Sequence, residues 1–350
     1  MTQPSGPRLT AKGAIAALAG LLILIALALL AGRYGWLDLG ASTRPVAALE
    51  QVTIATNSAY AGTCPVAAAR ENGYFADQGL LVTLQARSSG KAAMEAVMQG
   101  QANLGTVADI PIMFAGINND PVTVIATIFR TERDHGVVAR RDRGIATPAD
   151  FKGKRIGVTL NTSAHFALDA MLNRHGLAPA DVTMINYRPE DLYDAMARGE
   201  IDAAATWEPF MDALLTQLGE NGRAFYGKDI YESLYNIAAL RDYVRQQPHT
   251  VEKVLRALDR GARYCSSHPE AARALMSSSS QSDDRQLRAS WPAYRFGVVL
   301  DQGLILALED EARWAMKNKL TARTDLPNYL SYIYLDGLEA VSPAAVTIIH

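Results

Sequence analysis

Short apolar runs alternate with segments of helical periodicity over residues 50–210 of the chain. Apolar runs of about four to eight residues, bounded by turn residues, are typical of buried strands. The strand candidates are residues 51–56, 80–85, 103–107, 122–129, 136–139, 155–159, 182–186 and 201–206. The helix candidates between them begin at or near Cys64, Gly90, Asp109, Ser163, Pro189 and Pro209. Alternating strands and helices predict the α/β class, with parallel sheets covered on both faces.

The pattern restarts near residues 131–134, so we expect two similar α/β units in series. From residue 236 onward the chain is expected to be largely helical, with helices over residues 248–264, 269–276 and 301–319. These helices need an apolar surface to pack on. We expect the chain to return from the second unit to the first, so that the helices pack on the first unit. The predicted organisation is therefore lobe 1 over residues 50–132 and 236–350, and lobe 2 over residues 133–235.

An uncharged run of 20 residues, 13–32, lies between Lys12 and Arg33. At about 1.5 Å per residue, a helix of this length spans the roughly 30 Å of a bilayer's hydrocarbon core. Because Arg8 and Lys12 precede the run, we expect residues 1–12 in the cytoplasm, residues 33–49 as a linker, and the remainder outside. A cleaved signal peptide is the alternative, with a small-residue site near residues 26–28. The length of the run favours a single-pass anchor in the inner membrane.

The composition is that of a folded globular protein, since 49% of the 350 residues are hydrophobic and 20% are charged. A formal net charge of -2 gives no basic excess for nucleic-acid binding. The two cysteines, Cys64 and Cys265, are too far apart in sequence for a C-x-x-C metal site. They form one extracytoplasmic disulfide or are two ordinary small residues, and the second interpretation is favoured.

Candidate ligand-binding residues lie where the predicted strands end. In open α/β sheets, ligands bind outside the carboxyl ends of the strands, where helix N-termini present free N–H groups and a partial positive charge. The loops at these ends are rich in hydroxyl and amide side chains, which suit a polar ligand. The hydroxyl residues, taken singly, also fit helix caps, and the histidine fits an ordinary polar neighbour. The candidates are Asn57, Tyr60, Thr63, Ser88, Ser89, Thr106, Thr162, Ser163 and His165.

Three further candidates, Asp109, Trp207 and Glu208, are acidic or aromatic. Trp207 at a strand end can form an apolar wall or contact a cation. Glu208 can accept a hydrogen bond from an ammonium group. Asp109 opens a helix, where an acidic residue is also expected for purely structural reasons.

Enzyme motifs are absent from the sequence. No G-x-S-x-G, H-E-x-x-H or phosphate-loop pattern occurs, and the six histidines are dispersed. We therefore expect no catalytic residues, no metal site and no cofactor. The sequence predicts a protein that holds a small molecule without transforming it.

Four segments resemble those of a known family, in the same order. Residues 66–80 (VAAARENGYFADQGL) are similar to its A-x-x-x-G-Y-F-x-x-x-G-L stretch, and residues 148–158 (PADFKGKRIGV) to its LKGKKIGV segment. Residues 161–166 are similar to the loop that follows, and residues 199–209 (GEIDAAATWEP) to its GEIDAAxxWEP run. The family is the substrate-binding proteins of ABC transporters for nitrate, sulfonate and taurine, with the binders of thiamine's pyrimidine precursor.

The resemblance implies a periplasmic-binding-protein type II fold, in which two lobes joined by two hinge strands close around one solute. It also implies an ABC permease and its cytoplasmic ATPase as partners. The positions carried over are Tyr60, Thr63, Ser88, Ser89, Thr106, residues 162–165, Trp207 and Glu208. A membrane-anchored sensory module is the alternative function. An enzyme is a weaker third hypothesis, because the synthases among the relatives use a cysteine-rich motif that this sequence lacks.

Overall fold

The computed structural model describes residues 22–27, 29–30, 49–227, 230–280 and 284–350. Residues 22–27 and 29–30 are helical and exposed. Within the described ranges, no helix combines the length and the apolar character needed to cross a membrane. The rest of the predicted anchor (13–21, 28 and 31–32), the predicted tail and residues 33–48 of the predicted linker lie outside the described residues.

Strands of the described residues form two separate sheets, one of six strands and one of five. The strands are β1 (Glu50–Thr56), β2 (Leu80–Ala86), β3 (Leu104–Ala108), β4 (Val122–Thr131), β5 (His135–Arg140), β6 (Arg155–Val158), β7 (Thr183–Asn186), β8 (Ala203–Trp207), β9 (Gly222–Tyr226), β10 (Ser233–Leu240) and β11 (Arg295–Val299). The first sheet has the order β11-β4-β10-β3-β1-β2, and the second has the order β7-β6-β8-β5-β9. The expected α/β fold with two sheets is confirmed.

Helices cover the sheets and connect most of the strands. They are α1 (Cys64–Glu71), α2 (Tyr74–Asp77), α3 (Gly90–Met98), α4 (Asp109–Asn118), α5 (Ser163–Arg174), α6 (Leu192–Ala197), α7 (Phe210–Leu218), α8 (Arg241–Gln246), α9 (Pro248–Ser267), α10 (Pro269–Ser280), α11 (Asp284–Ser290), α12 (Gln302–Lys317) and α13 (Leu335–Val341). Among the late helices, α9 packs on α1 and β11, and α12 packs on α4.

Both sheets are mixed, so the expectation of purely parallel sheets is wrong. Strand β10 is antiparallel to both of its neighbours, β3 and β4. Strand β5 is likewise antiparallel to β8 and β9. The reason is connectivity: the chain enters the second sheet after β4 and returns to the first after β9, and each crossing adds a strand of opposite direction.

The chain after β10 is largely helical, as expected, but this part begins at Arg241 and not at Asn236, which lies within β10. Every residue of β10 except Leu240 is buried, because the strand lies in the middle of the first sheet. After Asn236 the strand is a short apolar run, which periodicity cannot distinguish from a buried helix segment.

Helix α9 lies unusually close to α1. A disulfide joins Cys64 in α1 to Cys265 in α9, so the favoured interpretation of two separate small residues is wrong. One turn earlier in α9, Gly261 faces the backbone of α1, where a Cβ atom would lie 2.1 Å from the Pro65 carbonyl oxygen. A glycine is therefore needed at this contact.

Replacing Gly261 by alanine is expected to lower the free energy of unfolding by about 1–3 kcal/mol, as overpacking does. The added methyl group would overlap backbone atoms of Pro65 and Ala69, so the two helices must move apart. Chemical unfolding of the full chain measures the loss. Gly297→Ala in β11 is the matched control, because its new methyl would only meet a Val299 methyl at 3.8 Å. Equal losses in the two variants would contradict the prediction.

Candidate ligand-binding site

A pocket lies between the two sheets. Its walls combine strand ends, loops and helix starts from both sheets, so a ligand there would contact both halves of the fold. The lining residues are Asn57, Tyr60, Ser89, Gly90, Lys91, Ala108, Pro111, His135, Thr162, Ser163, Trp207, Ser233 and Tyr235.

The N-termini of three helices reach this pocket. Helix α3 begins beside it at Gly90, capped by Ser89, whose Oγ accepts a hydrogen bond of 3.2 Å from the Ala92 N–H. Helix α4 follows Ala108, and helix α5 follows Thr162; both residues line the pocket. The first N–H groups of a helix have no partner within the helix and carry partial positive charge. Three such N-termini at one pocket favour an anion through their partial charge, while the Ile110 N–H of α4 is already bonded to Asp109 Oδ1 at 2.8 Å.

Aromatic rings supply the apolar walls. The Tyr60 ring packs on the ring of Tyr235, with the centroids 4.6 Å apart. Trp207, the last residue of β8, packs on Phe210 with the ring centroids 5.8 Å apart. Rings fixed in this way offer a rigid surface to the carbon part of a ligand.

A buried hydrogen-bond network supports one wall of the pocket. The Tyr60 hydroxyl donates to Oδ2 of Asp134, and Nδ1 of His135 lies 2.6 Å from Oδ1 of the same carboxylate. Burial, together with the negative charge of Asp134, raises the pKa of Tyr60 well above its ordinary value. The tyrosine hydroxyl is therefore protonated at neutral pH and acts as a donor.

Six of the predicted site residues line the pocket together: Asn57, Tyr60, Ser89, Thr162, Ser163 and Trp207. The other six do not line it. Among these, Ser88 is exposed to solvent, and the Thr63 hydroxyl donates to the Tyr60 carbonyl oxygen at 2.7 Å. Thr106 is fully buried, and its hydroxyl bonds to that of Thr56 at 3.0 Å.

Asp109 lies behind the pocket wall and joins several elements. Its Oδ1 accepts hydrogen bonds from the Tyr231 hydroxyl at 2.5 Å and from Ser163 Oγ at 3.3 Å, while its Oδ2 accepts from the Leu234 N–H at 3.0 Å. Burial raises the pKa of Asp109. The residue therefore holds the start of α4 against the start of α5, and a ligand would not reach it directly.

His165 and Glu208 are also buried outside the lining. The His165 ring packs edge-on against Trp314, with the centroids 5.1 Å apart, and burial lowers the pKa of His165 to about 4. The Glu208 oxygens accept hydrogen bonds from the Tyr226 hydroxyl at 3.0 Å and the Asp212 N–H at 3.1 Å. Since both oxygens are already engaged, the geometry gives no support to Glu208 as a receptor for a ligand's amine.

Sequence reasoning missed seven lining residues: Gly90, Lys91, Ala108, Pro111, His135, Ser233 and Tyr235. The first four adjoin the predicted loops and helix starts, so the loop pattern could have found them. Ser233 and Tyr235 belong to β10, and recognising that strand would have placed them. His135 has no local signal, because it follows a crossing between sheets. Over the described residues, no group of three or more His, Cys, Asp or Glu is arranged to hold a metal ion.

The two sheets and the pocket between them define a protein with the fold of periplasmic solute-binding proteins. The fold matches the solved structure of the alkanesulfonate-binding protein SsuA from Xanthomonas axonopodis pv. citri bound to MOPS, with a TM-score of 0.72. That match is 22% identical and covers 81% of this chain and 98% of the other. The chain belongs to the NMT1/THI5-like family, whose sequence model matches residues 61–272.

Curated relatives include both binding proteins and an enzyme. The taurine-binding periplasmic protein of Escherichia coli is 29% identical over 41% of this chain, and the match spans only 44% of that protein. A 4-amino-5-hydroxymethyl-2-methylpyrimidine phosphate synthase of Aspergillus parasiticus is 28% identical over 64% of this chain and 69% of its own length. These findings confirm the resemblance derived from the sequence motifs.

Proposed function

We propose that this chain is the solute-binding component of an ABC importer and captures a small organic anion, with a sulfonate as the first candidate. The observation that carries the proposal is the meeting of three helix N-termini at one pocket between the sheets. A sulfonate has three oxygens that can accept hydrogen bonds from such N–H groups. The family and the sulfonate binders among its relatives support the same class of ligand.

The proposal places the two sheets outside the cytoplasm, held to the inner membrane by residues 13–32, beside a permease driven by a cytoplasmic ATPase. The Cys64–Cys265 disulfide supports the location, since such bonds persist mainly in oxidising compartments. Extraction of membranes with carbonate, followed by N-terminal sequencing, tests the anchor. An intact N-terminus in the membrane fraction is expected, whereas a soluble, shortened protein would favour a cleaved signal peptide.

Calorimetric titration of the full chain in mild detergent tests the ligand class. The panel comprises ethanesulfonate, taurine, nitrate and a hydroxymethylpyrimidine, and we expect binding of at least one sulfonate. NMR spectra of the recovered ligand should show it unchanged, since we propose binding without turnover. A folded chain that binds none of the panel would remove the basis of the proposal, and a chemically altered ligand would favour an enzyme.

Ser89→Ala is expected to weaken sulfonate binding about tenfold. The serine lines the pocket and caps α3, so its hydroxyl hydrogen is available to the ligand while Oγ accepts from the helix. A hydrogen bond to a charged group contributes about 1.5–3 kcal/mol, and about 1.4 kcal/mol changes affinity tenfold. Ser88→Ala is the matched control, because the neighbouring serine is exposed and does not line the pocket. Unchanged affinity in Ser89→Ala would exclude this contact.

A further inference from the structure

His135 stands on the pocket wall as the first residue of β5, paired across the sheet with Trp207. Only 7% of its surface is exposed. A carboxylate can only accept hydrogen bonds, so Nδ1 is the donor in the 2.6 Å contact with Asp134. Nδ1 is thus committed to Asp134, and Nε2 makes no hydrogen bond among the described residues. Nε2 is therefore the ring nitrogen left to meet a ligand.

Ser233 adds a second polar group without a well-formed partner on the same pocket. Its side chain is 99% buried, since 1% of the residue is exposed. The Oγ atom lies beside the Tyr60 hydroxyl but makes no hydrogen bond of good geometry within the described part of the chain. Buried polar groups are nearly always hydrogen-bonded in folded proteins, so an unmatched hydroxyl in a pocket points to a ligand.

Acidic groups and an aromatic ring surround His135. The carboxylate of Asp134 is in contact, and the negative charge of Asp109 attracts the ring electrostatically. The Tyr231 ring packs edge-on at 5.4 Å, and the Glu208 N–H donates to the Asp134 carbonyl oxygen at 2.9 Å. The titratable groups in contact with the histidine are Asp134 and Tyr231; Asp109 interacts with it electrostatically, and Tyr60 and Lys91 line the same pocket.

We propose that His135 binds the acid group of the ligand through Nε2 in its doubly protonated form, so that capture of the anion takes up a proton. This inference rests on the proposed function of the same pocket. An anion beside Nε2 stabilises the imidazolium, and by linkage a protonated ring strengthens anion binding. Lys91, the other cationic residue of the lining, is the second residue of α3.

Ethanesulfonate is the suitable probe because it stays fully ionised from about pH 5 to pH 9, so any pH dependence belongs to the protein. Calorimetry of the full chain is done in Bis-Tris and in imidazole near pH 7, with Tris as the buffer at the alkaline end, since common sulfonate buffers would compete. We expect affinity to fall at least tenfold from about pH 5.5 to pH 8.5. The two buffers, which differ in ionisation enthalpy, should reveal uptake of a fraction of a proton near pH 7.

Two variants and a control test whether His135 is the group that takes up the proton. His135→Gln should remove both the pH dependence and the proton uptake. His165→Gln, which removes a buried histidine outside the lining, should keep both. Lys91→Gln should weaken binding by a similar factor at every pH. Wild-type binding without proton uptake would overturn the inference and leave the proposed function standing, while absence of any sulfonate binding would remove the proposed function itself. The wild-type buffer comparison decides the matter even where a variant fails to fold.

Discussion

Replacing Cys64 and Cys265 together by alanine is expected to lower the free energy of unfolding by about 2–5 kcal/mol. The two residues are 201 positions apart, so the bond closes a very long loop and restricts the unfolded chain strongly. It also fastens α1, which follows the pocket residue Tyr60, to the long helix α9. The disulfide therefore also holds in place the element that positions one wall of the pocket.

Chemical unfolding of the full chain, with and without a reducing agent, measures this effect. The reductant should destabilise the wild type by a similar amount and leave the double alanine variant unchanged. The double variant serves as the control for any effect of the reductant itself. Insensitivity of the wild type to reduction, under conditions in which free-thiol titration shows the bond broken, would refute the prediction.

The elements from β1 to β8 could be predicted from the sequence because their signals are local. Pro65 at the start of α1 and Gly100 after α3 mark helix boundaries. The predicted strands agree with the observed ones within about two residues at either end. Those signals also placed Ser89, Thr162 and Ser163 at helix starts, and these residues line the pocket.

Strand β10 and the residues that it carries could not be predicted in the same way. Its position between β3 and β4 depends on a return from the second sheet, which is a property of the whole fold. Ser233 and Tyr235 reach the pocket only because of that return. His135 is another such case, since a crossing between sheets brings it opposite Trp207.

The direction in which a side chain points at a strand end was the other unpredictable feature. Thr106 and Ser89 are both polar residues near a strand end. Thr106 is buried within β3 and contacts Thr56 and Tyr235 on the neighbouring strands, whereas Ser89 lines the pocket. Glu208 directly follows Trp207, and only the tryptophan lines the pocket. Adjacent residues of an extended chain point in opposite directions, and the sequence does not state which one faces the second sheet.

Between about pH 4 and pH 8, the stability of the wild type relative to Glu208→Gln is expected to fall by about 3 kcal/mol. Desolvation by burial raises the pKa of Glu208 from 4.5 to about 7. Hydrogen bonds from the Asp212 N–H and the Tyr226 hydroxyl lower this pKa, but by less than burial raises it. The unfolded carboxyl ionises near 4.5, so below that pH both states are protonated and the wild type carries no penalty. Above about pH 7 both states are ionised, and the buried charge weakens the folded state by about 1.4 kcal/mol for each pKa unit.

Unfolding free energies of both proteins across this pH range test the prediction through their difference, which removes contributions common to both. A constant offset of about 1 kcal/mol is acceptable, because the glutamine amide cannot accept two hydrogen bonds as the carboxylate does. Glu220→Gln removes the same charge from an exposed position and controls for net charge. A flat difference would show that Glu208 has the same pKa in the folded and unfolded states, so that it is ionised at neutral pH. In that case a buried negative charge would adjoin the pocket residue Trp207 in the chain, so the measurement bears on the electrostatics near the pocket as well as on stability.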